Sequence, residues 1–272
     1  DNRDLREQIY KAYINRGSNK NANNNWDNIS KMVSLRAEKA HLLGFPDYAS
    51  YVIDNNMAKT TDNVYKLCNQ IWEAALPNAK AEAAELQKMI NREGGKFKLA
   101  PWDWRYYSEK LKKEKYGLDQ TEISQYFPLE KVREGTFYVA NKLYGITFTQ
   151  LDNLPLPHPD AIAFEVKDAD GSHIGILYAD YFPRASKGSG AWMEAFRPQA
   201  GLLNSTPVIT NVCNFTKPTG DTPSLLTFDE ACTLFHEFGH ALHGLLSKCT
   251  YPSVAGTSVA NDFVELPSQI ME

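Results

Sequence analysis

The sequence has 272 residues, of which 43% are hydrophobic and 23% charged, a composition typical of a globular protein. The formal net charge is −4, with lysines and arginines mixed among acidic residues, so we expect no nucleic-acid partner. Apolar runs are far shorter than the roughly 20 residues that a transmembrane helix needs, so we expect no membrane association.

The first 145 residues are predicted to be helical. Apolar residues recur three and four apart in "WDNISKMVSLRAEKAHLLG" and in "VYKLCNQIWEAALPNAKAEAAELQKMI", where Pro77 is a candidate kink. Pro101 and Gly117 bracket a further helix, and Pro128 and Gly145 bracket another. We find no catalytic motif in this region and interpret it as a helical body.

Short β-branched and aromatic runs begin near residue 146. They are "ITFTQL", "AIAFEVKDADGSHIGILYADYFPR", "GAWMEAF" and "PVITNVCNF", with "DADGS" as a hairpin turn. These runs predict a small, mostly antiparallel sheet. Helical spacing returns in "LTFDEACTLFHEFGHALHGLLSKC", where Thr227 and Glu230 have the form of a capping box. The predicted fold class is mainly α with this sheet (α+β), divided into a helical body, 1–150, and the small sheet with the helices that follow it, 151–272.

The stretch "LFHEFGHALHGLL" contains two histidines four residues apart with a glutamate directly after the first. On a helix, His236 and His240 point within about 40° of each other, and Glu237 lies beside them. The opposite face collects an apolar stripe, namely Leu234, Phe238, Ala241, Leu242 and Leu245. Histidines one turn apart can bind one zinc ion, and Glu237 is then placed to activate zinc-bound water. The spacing therefore predicts a catalytic zinc site.

A catalytic zinc site usually has a third protein ligand. The metzincin pattern does not fit, because His243 and Leu246 stand where it requires glycine and histidine. The remaining candidate for the third ligand is a carboxylate in "ANDFVELPSQIME", a segment that we predict to be a second helix. Spacing alone leaves Asp262, Glu265 and Glu272 as alternatives.

The motif together with "SVAGTSVANDFVELPSQIME" resembles the thimet oligopeptidase family of zinc peptidases. Further segments resemble the family in the same order and cover nearly the whole chain, among them "LLGFPDYASYVIDNNMAKT", "PWDWRYYSEKLKKEKYGLD" and "HPDAIAFEV". Within the family, "GAWM" and "PVITNVCNFTKP" are most similar to the bacterial peptidyl-dipeptidase branch. The resemblance implies a zincin-like core at the floor of a deep channel and hydrolysis of short unstructured peptides, with release of C-terminal dipeptides.

Residue by residue, the resemblance implies that His236, His240 and Glu265 bind one Zn²⁺ and that Glu237 polarises the attacking water. Cobalt or manganese can occupy the same ligands. An endo-acting oligopeptidase, a zinc hydrolase for non-peptide amides and a non-catalytic zinc-binding scaffold are the alternatives.

Other polar and small residues are weaker candidates. His243 points within about 20° of His236 and is a candidate for substrate contact, with a packed histidine as the alternative. Gly190 and Ala191 of "KGSGAWM" would let a substrate backbone approach a sheet edge, with a simple hairpin turn as the alternative. A metal-bound histidine usually donates its second nitrogen to an oxygen. The candidates for that contact are Asp229, Asp262, Gln269 and Glu272.

Four scattered cysteines without a Cys-x-x-Cys pair favour a reducing compartment, and we expect a cytoplasmic monomer. The chain begins without methionine and stops at "ELPSQIME" without a turn, so we expect a piece of a longer protein. An export signal on a missing N-terminus therefore stays open. The family places further hydrogen-bond donors after the third ligand, so an inactive chain is one expected outcome.

Overall fold

The structure, a computed structural model, describes residues 2–272. It divides into a unit that ends at Leu118 and a second unit, Asp119–Glu272. Helices hold about half of the residues, and the class is α+β, as predicted. The helices of the first unit are α1 (Arg3–Ile14), α2 (Trp26–Leu42), α3 (Tyr48–Ile53), α4 (Thr61–Arg92) and α5 (Pro101–Tyr116).

The second unit combines helices and a five-stranded sheet. Its helices are α6 (Gln120–Ser124), α7 (Leu129–Tyr144), α8 (Phe228–Leu245) and α9 (Leu266–Met271). Its strands are β1 (Thr147–Leu151), β2 (Ile162–Lys167), β3 (His173–Asp180), β4 (Trp192–Arg197) and β5 (Val208–Val212). The division of the chain at residue 150 into two domains stays a prediction, and in this unit α7 packs with the sheet.

The predicted helices of the first 145 residues are confirmed, and their ends follow the local signals. The Thr60 side chain accepts a hydrogen bond from the Asn63 N–H at the start of α4, and Pro77 lies inside that helix, which continues on both sides. Helix α5 begins at Pro101 and ends at Tyr116; the next residue, Gly117, caps it with a φ of 64°, a conformation that favours glycine.

The sheet has the order β1-β2-β3-β5-β4. Its β1–β2, β2–β3 and β5–β4 pairs are antiparallel, whereas β3 and β5 are parallel. The prediction of a mostly antiparallel sheet was therefore wrong, because the sheet is mixed. A tight hairpin can join only antiparallel neighbours, as the predicted turn near Gly171 does between β2 and β3. The connection from β3 to β5 instead passes through β4, which leaves room for a parallel return.

The core of the second unit lies between the sheet and helices α7 and α8. The predicted apolar stripe of α8 is confirmed, because Leu234, Phe238, Ala241, Leu242 and Leu245 are all buried in this core. The stripe orients the helix so that His236 and His240 face away from the core. Among the described residues, the helices are too short or too polar to cross a bilayer.

Candidate metal centre

Helix α8 carries both histidines of the motif and the glutamate between them. Its start is the predicted capping box: the Glu230 N–H donates to Thr227 Oγ1 at 3.1 Å, and the Thr227 N–H donates to Glu230 Oε2 at 2.8 Å. The rings of His236 and His240 stand one turn apart, with centroids separated by 5.0 Å and planes at 85°. Local sequence alone therefore places two imidazoles on one side of the helix.

Helix α9 brings Glu265 to these imidazoles. Glu265 precedes the helix, and its Oε2 lies 3.2 Å from His236 Nε2 and 3.1 Å from His240 Nε2. The ligand atoms of the three residues all lie within 4.8 Å of one another. Of the carboxylates that spacing left open, the structure brings Glu265 into this group. Glu272 meets the other ring nitrogen of His236 instead.

The geometry of this group fits a zinc ion. Zinc binds imidazole nitrogen and carboxylate oxygen at about 2.0–2.2 Å, so two ligand atoms of a tetrahedral site lie roughly 3.4 Å apart. The observed separations of 3.1 and 3.2 Å between Glu265 Oε2 and the two Nε2 atoms are close to that value. Two nitrogens and one oxygen are also the donor set that zinc accepts in open, catalytic sites.

Two further side chains hold the candidate ligands in place. His236 Nδ1 lies 3.1 Å from Glu272 Oε2, so the structure gives this contact to one of the four residues that the sequence offered. The buried Ser268 hydroxyl donates to Glu265 Oε2 at 2.7 Å. Sequence reasoning missed Ser268; its only signal is a hydroxyl residue three positions after the glutamate, at the start of a helix.

The charges of the site depend strongly on burial. Burial raises the pKa of Glu237, whose side chain belongs to a residue only 6% exposed, and the Glu265 charge raises it further against an opposing effect of His236. Burial lowers the pKa of His240, which favours the neutral imidazole that a metal requires. Glu237 Oε2 is buried and has no hydrogen-bond partner among the described residues, so it can accept a proton from a bound molecule.

A cleft of about 380 Å³ opens beside these residues. Ala191 lines it together with its neighbours Trp192 and Met193 at the start of β4, an edge strand of the sheet. Gly190 immediately precedes them and has a φ of 91°. Of the two predicted substrate-contact residues, Ala191 therefore lies in the cleft beside the candidate ligands and Gly190 directly precedes it; their contact with substrate stays a prediction.

His243 lies elsewhere. It lines a separate, more apolar cavity of about 480 Å³ with Leu266 and Ile270, and its ring centroid is 6.4 Å from that of Phe263. Seven residues along a helix correspond to about 10 Å of rise. His243 therefore points in about the same direction as His236 but lies two turns further along the helix. Its role in substrate binding stays a prediction.

Gly239, inside the motif, explains why α9 can lie so close to α8. A Cβ atom at this position would be 2.7 Å from the Pro267 carbonyl oxygen and 2.7 Å from Ser268 Cα. The glycine therefore permits the close approach that brings Glu265 to the histidines. The sequence signal was present in "HEFGH", but its physical reason is a tertiary contact.

The whole chain, residues 1–272, matches the family model described as Peptidase family M3. The chain therefore belongs to peptidase family M3, which confirms the resemblance and the predicted class, a metallopeptidase.

Similar proteins carry peptidase names. The chain is 42% identical to "Dipeptidyl carboxypeptidase" of Escherichia coli over 99% of its length and 40% of that protein. It is 39% identical to "Oligopeptidase A" of the same bacterium over 100% of its length and 41% of that protein. It is 34% identical to "Thimet-like oligopeptidase" of Dictyostelium discoideum over 90% of its length and 38% of that protein. The chain thus spans about two fifths of these relatives.

Proposed function

We propose that the second unit is a zincin-like core that binds one zinc ion and hydrolyses peptide bonds in short, unstructured peptides. The observation that carries the proposal is the convergence of His236, His240 and Glu265 beside a buried glutamate, Glu237. The family supports peptides as the substrate class. The ligand set and the mechanism are inferences from this geometry and from the chemistry of the residues.

His236, His240 and Glu265 would hold the metal. Zinc in such a site supplies a Lewis acid that lowers the pKa of water and stabilises negative charge on a carbonyl oxygen. Glu237 takes the proton from the attacking water and passes it to the nitrogen of the departing amine. Its raised pKa suits both transfers, because a base works best when its pKa lies near the working pH.

The start of β4 would hold the substrate backbone. An edge strand has unpaired N–H and C=O groups, to which an extended peptide can add as a further strand. Ala191 at this edge lines the cleft beside the candidate ligands, Gly190 directly precedes it, and a glycine permits close approach of another backbone. Short unstructured peptides suit this mode because they need no unfolding before they pair.

Release of C-terminal dipeptides is the mode we favour, because the chain is 42% identical to a protein named "Dipeptidyl carboxypeptidase". Endo-acting cleavage is the second candidate, supported by 39% identity to "Oligopeptidase A". A non-catalytic zinc scaffold is disfavoured by Glu237, since a structural metal site has no use for a buried carboxylate with an unpartnered oxygen.

The proposal is tested with the purified chain and two variants, Glu265→Ala and Glu237→Gln. We expect about one zinc per chain by elemental mass spectrometry, strong loss of zinc in Glu265→Ala, and retained zinc in Glu237→Gln. Peptide hydrolysis, followed by mass spectrometry of the products, should fall by at least about 100-fold in Glu237→Gln. Hydrolysis that survives in Glu237→Gln would contradict the role of this residue as the base. Products that are all C-terminal dipeptides would separate the favoured mode from endo-acting cleavage.

A further inference from the structure

A buried lysine outside the candidate metal centre anchors the segment that leads into β4. Lys187 Nζ lies 2.9 Å from the carbonyl oxygens of both Asp180 and Phe182, 2.6 Å from that of Cys213 and 3.0 Å from Asp180 Oδ1. The Lys187 side chain is only 3% exposed. Because an ammonium group has three N–H donors, these acceptors replace its hydration completely.

The oxygen atoms around Lys187 belong to the ends of two strands. Asp180 is the last residue of β3, and Cys213 directly follows β5. The Asp180 carboxylate is buried and also accepts a hydrogen bond from Arg184, at 2.8 Å. One side chain therefore ties the ends of β3 and β5 to the segment that precedes β4.

A second side chain fixes the turn directly before β4. The Asn214 amide donates to the carbonyl oxygens of Gly188 and Gly190, at 2.9 and 2.7 Å. The next three residues, 191–193, line the cleft beside the candidate ligands. Lys187 and Asn214 therefore both hold the segment that leads into this sheet edge.

We propose that Lys187 and Asn214 are positioning residues for peptide binding, which hold residues 188–193 so that their backbone pairs with an extended substrate. This inference rests on the proposed function and deepens it, because it names the side chains that place the substrate. Energetics distinguish it from a purely structural role. Removing one partner of a buried ion pair lowers stability, so a purely structural role predicts a lower melting temperature for Lys187→Met without a matching loss of peptide affinity in Asn214→Asp. A misplacement of about 1 Å, in contrast, can reduce catalysis by about 100-fold.

The test uses Lys187→Met, which keeps the apolar stem, Lys187→Arg, which keeps the charge, and Asn214→Asp, which replaces the donor by an acceptor. The matched control is Lys167→Met, a lysine of β2 that is 39% exposed and pairs with Glu165. Each is made alone and together with Glu237→Gln, so that a bound peptide is not cleaved. The readouts are zinc per chain, the melting temperature, and the Kd of a fluorescently labelled unstructured nonapeptide by anisotropy.

We expect Kd to rise about tenfold or more in Lys187→Met and Asn214→Asp, since each removes hydrogen bonds from a charged or paired group. Lys187→Arg should show a smaller rise, and Lys167→Met none, with about one zinc per chain throughout. Unchanged peptide affinity in both variants would overturn the inference. A parallel loss of zinc, melting temperature and affinity in Asn214→Asp, which breaks no ion pair, would overturn it as well, because it would indicate a structural role.

Failure of the proposed function has a different signature. An unaltered chain that binds zinc but neither binds nor cleaves the peptide would refute the peptidase proposal and this inference with it. If Lys187→Met does not fold, the peptide affinity of Asn214→Asp tests the inference. Asn214 is partly exposed, and its two hydrogen bonds go to the turn before β4.

Discussion

A neighbour three residues along the chain, Ser268, lowers the pKa of Glu265 and orients its carboxylate. The hydrogen bond from Ser268 is the largest cause of its lowered pKa; burial opposes the shift, and the charges of His240 and His236 support it. The same bond holds the carboxylate in one orientation, with Oε2 directed at both imidazoles. A ligand that is already ionised and oriented loses less freedom when it binds a cation.

Ser268→Ala tests this contact. We expect zinc affinity to fall by about 10–100-fold, the usual cost of losing a partner of a metal ligand. The pKa of Glu265 should rise without its donor, so the acid loss of zinc should begin at a higher pH. Competition with a chromophoric chelator, repeated from pH 7 downwards, measures both effects. Ser124→Ala is the control, because its hydroxyl donates to the Gln120 carbonyl in α6. Equal affinities in the two variants would show that the Ser268 contact is unimportant.

At the scale of helices, the approach of α9 to α8 depends on the absence of a side chain at Gly239. The neighbours there are backbone atoms of Pro267 and Ser268, which cannot move aside as a flexible side chain could. Any residue larger than glycine must therefore push α9 outward, and Glu265 with it.

Gly239→Ala should weaken zinc binding and lower the free energy of unfolding by about 1–3 kcal/mol, the cost of overpacking. The matched control is Gly135→Ala in α7, where the new Cβ would meet only Phe235 Cζ, at 3.9 Å. Alanine should stabilise that helix by up to about 1 kcal/mol. Chemical unfolding and zinc titration measure the two effects. Zinc affinity unchanged by Gly239→Ala would contradict the steric interpretation.

Helices α1 and α5 of the first unit are joined through a buried carboxylate. Asp103 accepts hydrogen bonds from Arg3 at 2.8 Å, from Arg6 at 3.1 Å and from the Ala100 N–H at 3.1 Å. Burial raises the pKa of Asp103, but these hydrogen bonds outweigh burial, so its pKa lies below the ordinary value. The ionised carboxylate therefore stabilises the folded chain.

The stabilisation by Asp103 should depend on pH in a definite direction. It is complete above the pKa of the unfolded chain, about 3.9, and is lost as the pH falls through the lower pKa of the folded chain. Asp103→Asn should lower the free energy of unfolding at pH 7 by about 3 kcal/mol, the low end for a broken buried ion pair. Urea unfolding between pH 7 and pH 2 measures this difference, which should shrink at the acid end. Asp4→Asn, at an exposed position of α1, is the control. If the difference in the free energy of unfolding between the unaltered chain and Asp103→Asn stays constant with pH, the ionised Asp103 carboxylate is not its cause.

At the scale of the whole molecule, the candidate ligands all come from the second unit. They lie on α8 and directly before α9, two helices that are separated in sequence and packed together in space. A metal that joins them binds the folded state and not the unfolded chain. Zinc should therefore contribute directly to the free energy of unfolding.

Zinc at 100 times its Kd should add about 2.7 kcal/mol to the free energy of unfolding. For a chain of this size, we expect the melting temperature to rise by about 5 °C or more. Scanning calorimetry with zinc and with a chelator measures the shift, and Glu265→Ala should remove most of it. A melting temperature that is the same with zinc and with the chelator would mean that the three residues do not bind metal in the folded protein.

The peptide partner, the monomeric state and the cytoplasmic location stay predictions, whereas the match to the family model establishes that the chain belongs to peptidase family M3. Much of the local structure was predictable, because its causes lie within a few residues. The capping box at Thr227, the end of α5 at Gly117 and the burial of Phe238 follow from propensity and periodicity.

The sequence by itself determined which helix carries the histidines and that Glu237 stands beside them, because spacing on a helix sets direction. Spacing could not choose among three carboxylates, and only the resemblance pointed to Glu265. The tertiary structure alone decided that β3 and β5 run parallel, that Ser268 holds Glu265, and that Lys187 ties the strand ends together. The physical reason is that each of these depends on how helices and strands pack and pair in space, which local periodicity does not encode.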